Sequence, residues 1–182
     1  PSFGALPYES LDAKGHTFTD YVDDILLDVA GKVGDNVVTD GKLDNYSSDW
    51  IFLTQLRGEA DSAYVNVNGK TRAIEVDVTG AGQYSYSVQL MHENIPMLVG
   101  HKYKCSFLVR ASEKGVITAR IGSYLTYETV GFEEHLQVTT SEKKFEVEFE
   151  PNVNDPFARF EFNLGGAVRK IWIRDVQITR LD

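Results

Sequence analysis

Apolar and polar positions alternate along most of this chain. Between Gly80 and Ala111, Tyr84, Tyr86, Val88 and Leu90 share one parity and Ser85, Ser87, Gln89 and Met91 the other, the period of two imposed by a strand with one buried face. Tyr103, Cys105, Phe107 and Val109 repeat the pattern against Lys104, Ser106, Leu108 and Arg110. The stretch predicts two antiparallel strands joined by a polar loop. One face of this hairpin is aromatic and aliphatic, and the other offers hydroxyls, amides and guanidinium to a hydroxyl-rich ligand.

From Val37 the pattern stays β. Short runs rich in Val, Ile, Tyr, Phe and Thr are punctuated by Asp-Gly, Asn-Gly and Gly-Gly pairs, the signature of many short strands and tight turns. Strands are predicted at Asn36 to Thr39, Trp50 to Leu56, Ser62 to Val67, Ala73 to Val78, Tyr84 to Met91, Lys102 to Ala111, Val116 to Gly122, Lys143 to Glu150, Ala158 to Leu164 and Lys170 to Arg180. About ten strands in one domain imply two antiparallel sheets face to face, most simply a jelly roll. The fold class is all-β, a β-sandwich.

Two of these strands extend the two-faced pattern. Ile117, Ala119 and Ile121 point inward and leave Thr118 and Arg120 outside, while Phe160, Phe162 and Leu164 leave Arg159, Glu161 and Asn163 outside. If these strands share a sheet with the hairpin, Gln89, Arg110, Arg120, Glu161 and Asn163 line one concave surface. Ser87 has the parity of Gln89, and Tyr124 and Tyr127 follow at the rim. Residues 1–35 are read as an arm or linker packed on a sandwich of residues 36–182. Within the arm, HTFTDYVDDILLDVAGKVGDN fits either a short helix or a strand through Ile25, Leu27 and Val29. Trp172 alternates out of phase with Ile171 and Ile173, so it faces outward, either beneath the arm or as a second ligand surface.

With 182 residues, 42% of them hydrophobic, the chain suits one packed domain. A net charge of −9 argues against nucleic acid, which is held by clustered Lys and Arg, and against anionic membrane surfaces. No apolar run, that around Ile25 to Leu27 included, approaches the roughly 20 residues that span a bilayer. Cys105 is the single cysteine; there is no disulfide framework, and at an inward position it acts as a small hydrophobe. A start at Pro1 predicts a fragment or a processed chain.

Enzyme signals are sparse. Glu146, Glu148 and Glu150 alternate at about 6.5 to 7 Å along a strand, overlapping the roughly 6.5 to 9.5 Å between the carboxyls of inverting glycosidases. Alternate glutamates are also the ordinary solvated face of a strand, and a glycosidase must keep one carboxyl protonated by burial. The four histidines show no metal-ligand spacing, and no Gly-x-Ser-x-Gly occurs. Arg120 with Tyr124 or Tyr127 is the nearest approach to the base-and-arginine pair of a glycan lyase. A structural module that mediates protein contacts is the third class.

In order, VVTDGKLDNYSSDW, NGKTRAIEVDV, YSVQL, GHKYKCSFLVRAS, FEFNLGG and IWIRDVQI resemble the carbohydrate-binding modules of families 4, 9, 16 and 22. The resemblance covers residues 36–182. It implies a jelly roll that binds single chains of a β-linked polysaccharide, β-glucan or xylan, in a cleft across its concave sheet. Such modules are usually non-catalytic and joined covalently to a secreted glycoside hydrolase, which implies an extracellular location. Carried over by position, Gln89, Arg120 and Asn163 become polar sugar contacts and Tyr127 a stacking ring; Asn163 departs from the glutamine that many relatives carry there, and Leu53 from the cleft tyrosine that some carry. A pyranose wants paired donors and acceptors for its hydroxyls and an aromatic ring for its C–H face, and these residue types meet both needs.

The resemblance also implies a structural calcium ion on the convex side. Asp44 in the DGKLDN turn, Asp175 in the last strand, and main-chain oxygens of Lys42, Lys70 and Thr71 form the oxygen donor set that calcium prefers. Turn capping is the alternative role for these aspartates.

Overall fold

The structure, a computed structural model, describes residues 32–69 and 71–182. Ten strands run β1 (Trp50–Thr54), β2 (Gly58–Val67), β3 (Thr71–Ala81), β4 (Val88–Met97), β5 (Tyr103–Ala111), β6 (Gly115–Gly122), β7 (Thr129–Val138), β8 (Lys143–Phe149), β9 (Asp155–Asn163) and β10 (Arg169–Arg180). They form two antiparallel five-stranded sheets, a front sheet in the order β1-β4-β9-β6-β7 and a back sheet in the order β2-β3-β10-β5-β8. The fold is an all-β jelly roll. No helix among the described residues is long and apolar enough to cross a membrane.

The core lies between the sheets and is built from the inward parities. Ile117, Ala119, Ile121, Phe160, Phe162 and Leu164 from the front sheet meet Tyr103, Cys105, Phe107, Val109, Ile171 and Ile173 from the back, all 2% exposed or less. Phe162 sets its edge against Phe107 at 4.8 Å and against Phe160 at 4.7 Å, the tilted arrangement ring quadrupoles favour. Each such ring contributes about 1.5 to 3 kcal/mol by leaving water. Burial pushes the Cys105 thiol far up, so it remains an inert hydrophobe.

The structure corrects four sequence expectations. The hairpin does not exist: β4 pairs with β1 and β9, whereas β5 pairs with β10 and β8. The chain crosses between sheets after Met97, and parity, which fixes a face, is blind to this. Secondly, the alternation of Tyr84 and Tyr86 does not continue the strand. Ser85–Ser87 form a 3₁₀ turn that leaves the two rings 51% and 40% exposed and stacked on each other at 5.0 Å. Thirdly, Asn36 to Thr39 make only a bridge from Asn36 to Thr179, beside the C-terminal half of β10, where β3 no longer pairs. Fourthly, β7 was not expected; Val130, Phe132, Leu136 and Val138 carry its inward period, interrupted by Glu134.

Residues 1–31, with the helix-or-strand segment of the arm, lie outside the described residues. Trp172 does face outward on the back sheet, where Arg110 lies over its ring at 3.9 Å and Glu75 accepts its indole N–H at 2.7 Å.

Candidate functional site

Backbone register sets out the front face. Leu53, Gln89, Asn163, Thr118 and His135 stand in one row across the five strands, and Ile51, Met91, Glu161, Arg120 and Glu133 stand in the next. Strands about 4.8 Å apart give each row a span of roughly 19 Å.

In the first row Gln89 Nε2 donates to Asn163 Oδ1 at 2.7 Å, and Gln55 Nε2 donates to Gln89 Oε1 at 3.4 Å. Thr118 Oγ1 is 2.9 Å from His135 Nδ1. In the second row Glu161 is 2% exposed. Arg159 donates to its Oε1 through Nε at 2.7 Å, with a further nitrogen at 2.6 Å, and Arg120 Nη1 lies 3.6 Å from Oε2. A carboxylate between two guanidinium groups is compensated inside the protein, and each guanidinium is fixed by it.

Arg120 carries this order outward to the rim. Its Nη2 donates to the main-chain oxygen of Tyr127 at 2.7 Å and so grips a residue at φ 61, where a bulky side chain is uncommon and needs support. Tyr127 and Tyr124 are 67% and 50% exposed, and the Arg159 guanidinium carbon lies 5.6 and 5.9 Å from their ring centres. The face thus offers amides, hydroxyls and fixed guanidinium groups beside two aromatic rings held in water.

The structure brings Gln89, Arg120, Glu161, Asn163, Tyr124 and Tyr127 together. It does not add Arg110 or Ser87. Arg110 belongs to β5 and lies on the outer face of the back sheet over Trp172, because the hairpin that was to carry it across does not form. Ser87 is fully buried, and its Oγ accepts from the Tyr84 N–H at 3.1 Å. Sequence reasoning also missed His135 and Gln55. Both sit on the front face, and the period of β7 was the signal that would have found His135.

The glutamate series does not form an acid-base pair. Glu146 lies on the back sheet, its carboxyl held below the ordinary range by hydrogen bonds to Lys144 and then Lys104, the opposite of a proton donor; Glu150 lies beyond the end of β8.

Lys42, Asp44, Thr71 and Asp175 do line one small cavity beside the back sheet, of about 210 Å³; Lys70 lies outside the described residues. Asp175 sits at φ 51, at the irregularity between Arg174 and Gln177. Asp40 accepts from the backbone N–H groups of Asp44, Asn45 and Ser47 and thereby shapes the loop. Two carboxylates and main-chain oxygens suit a hard cation. Arg72 and Arg174 share the cavity, Arg72 donating to the Asp44 carbonyl at 3.3 Å and Arg174 paired with Glu142 at 2.8 Å.

A two-sheet jelly roll with a polar face ordered in this way is an architecture that β-sandwiches of the carbohydrate-binding class share. More narrowly, the chain belongs to the family described as carbohydrate binding domain, of the type 4 and 9 grouping, whose model matches residues 35–170. Among curated proteins none matches the chain.

Among solved structures, one titled for CBM4 structure and function superposes with a TM-score of 0.68 at 17% identity, over 79% of this chain and 99% of that one. The CBM22-1 xylan-binding domain of a Paenibacillus barcinonensis enzyme gives 0.59 at 12%, over 84% and 99%. The N-terminal cellulose-binding domain of Cellulomonas fimi β-1,4-glucanase C gives 0.53 at 21%, over 71% and 86%. At these identities the likeness is one of fold.

Proposed function

We propose that this chain is a non-catalytic module that binds single chains of a neutral β-linked polysaccharide, a β-glucan or a xylan, across the front face. Through covalent linkage it would hold a secreted glycoside hydrolase on its substrate outside the cell. The observation that carries the reading is the second row. Glu161 and Glu133 flank Arg120, and Glu161 also holds Arg159 of the neighbouring row, so that two carboxylates balance two guanidinium groups and leave ordered donors for a neutral ligand, with Tyr124 and Tyr127 alongside for its C–H face. Family membership supports a saccharide ligand, and two structures of the same fold are titled as cellulose- and xylan-binding domains.

Calorimetry and affinity electrophoresis against soluble β-1,4-glucan, mixed-linkage glucan, β-1,3-glucan and xylan test this directly. Saturable binding to at least one, with no release of reducing ends over a day, is expected. Turnover would make the protein an enzyme on the same fold, and binding to none would remove the cleft.

We further propose that calcium binds Asp44, Asp175 and the main-chain oxygens of Lys42, Lys70 and Thr71 and staples the DGKLDN loop to β3 and β10. An ion bound only by the folded form stabilises it by about 3 to 4 kcal/mol at a hundred to a thousand times its dissociation constant. Chelator should therefore lower the melting temperature of the wild type and leave that of Asp175→Ala unmoved. A wild-type melt indifferent to both chelator and added calcium would remove the ion.

A further inference from the structure

Past the two polar rows the front face runs on into a cavity of about 940 Å³. Phe157, two residues before Arg159 on β9 and therefore on the same face, lines it. Around Phe157 stand the bulge of β4 at Asn94, the β6–β7 loop with Leu125, and the β8–β9 loop with Val153. Phe157 and Leu125 are 63% and 82% exposed, an apolar concentration in water that marks a contact surface.

Charge and position narrow the occupant. The charged groups lining the cavity are Glu93, Glu128 and Asp155, and among the described residues there it has no Lys, Arg or His; an anion is repelled. The rows run across the strands, whereas the cavity opens from them along the strand direction, next to Arg159. A glycan laid along a row passes the mouth of the cavity, and a unit hanging from that glycan enters it.

We propose that this cavity is a second subsite, which receives a neutral sugar branch carried by the bound polysaccharide. The branch sets its C–H face on Phe157 and Leu125 and its hydroxyls among the amides and hydroxyls of the two loops. The inference rests on the reading of the front face as a glycan cleft.

Matched ligands separate the two readings. β-1,4-gluco- and β-1,4-xylo-oligosaccharides are titrated unbranched, with one neutral branch sugar, and with one uronic acid branch. On the backbone that binds, the neutral branch is expected to tighten binding about fivefold or more, and the acidic branch to give no gain. Phe157→Ala and, separately, Leu125→Asn should return the branched ligand to the unbranched level and leave the unbranched affinity as it was; Arg120→Ala should weaken all of them. Equal affinity with and without the neutral branch, a gain from the acidic one, or equal losses for every ligand in Phe157→Ala overturns the subsite and leaves the cleft standing. Binding of neither backbone overturns both.

Discussion

At the scale of single residues, function and stability meet in Glu161. Removing its charge leaves the Arg159 guanidinium, its side chain 11% exposed, without its carboxylate, and leaves Arg120, 15% exposed, with Glu133 alone at 3.6 Å. Glu161→Gln should cost about 3 kcal/mol, read as a lower urea midpoint, and should weaken glycan binding because Arg120 and Arg159 lose their fixed directions; an unchanged midpoint would mean that the arginines are held by something else. Arg120→Ala and Tyr127→Ala remove side chains proposed to touch the glycan. Each should weaken binding by about 1 to 3 kcal/mol, roughly fivefold to a hundredfold, and calorimetry that finds the same affinity in both would end their role. His92 responds to pH. Its Nε2 lies 3.0 Å from the Thr39 carbonyl, and its Nδ1 is buried without a hydrogen bond. Burial, the largest cause, lowers its pKa. The unfolded chain therefore takes up the proton first, below about pH 6.5, and the folded state loses stability as pH falls from there towards the lowered value. Melting temperatures between pH 7 and 5 should drop more steeply for the wild type than for His92→Gln.

At the scale of elements, Gly165 shows how a strand end is set. A Cβ there would sit 2.6 Å from the Tyr84 carbonyl oxygen and 2.9 Å from that of Ser85, main-chain atoms of the 3₁₀ turn that delivers β4 and, two residues on, Gln89. Gly165→Ala should cost about 1 to 3 kcal/mol and also reduce glycan affinity by displacing Gln89. A melting temperature that falls with affinity intact would uncouple the turn from the face. The same turn marks where the sequence stopped being legible. Within β5, β6, β9 and the inner half of β10, alternation alone assigned every face, since a residue shifted by one would bury an Arg or expose a Phe. For Tyr84 and Tyr86 the alternation was accidental, because a 3₁₀ turn repeats on a different period. Which sheet a strand joins depends on partners far along the chain, so Arg110 was assigned to the wrong side although its parity was right. For β7, the run Glu133, Glu134, His135 masked the apolar period of an edge strand.

At the scale of the whole molecule, a neutral ligand feels little long-range pull from a chain of net charge −9 whose front-face guanidinium groups, Arg120 and Arg159, are matched by Glu133 and Glu161. Affinity should change less than about twofold between 0.05 and 0.5 M salt, and polygalacturonate should not bind; a steep salt dependence would point to a charged ligand instead. β9 lies between β4 and β6, and it supplies Arg159, Glu161 and Asn163, which make the Gln89–Asn163, Arg159–Glu161 and Arg120–Glu161 contacts at the middle of the front face. Until Asn163 has left the ribosome, the front sheet exists only as two ribbons, β1 with β4 and β6 with β7, each with an open inner edge that invites pairing with other chains. The proposed recognition face is thus acquired late and all at once. A nascent chain halted before β9 would have most of its core residues and no face with which to hold a sugar.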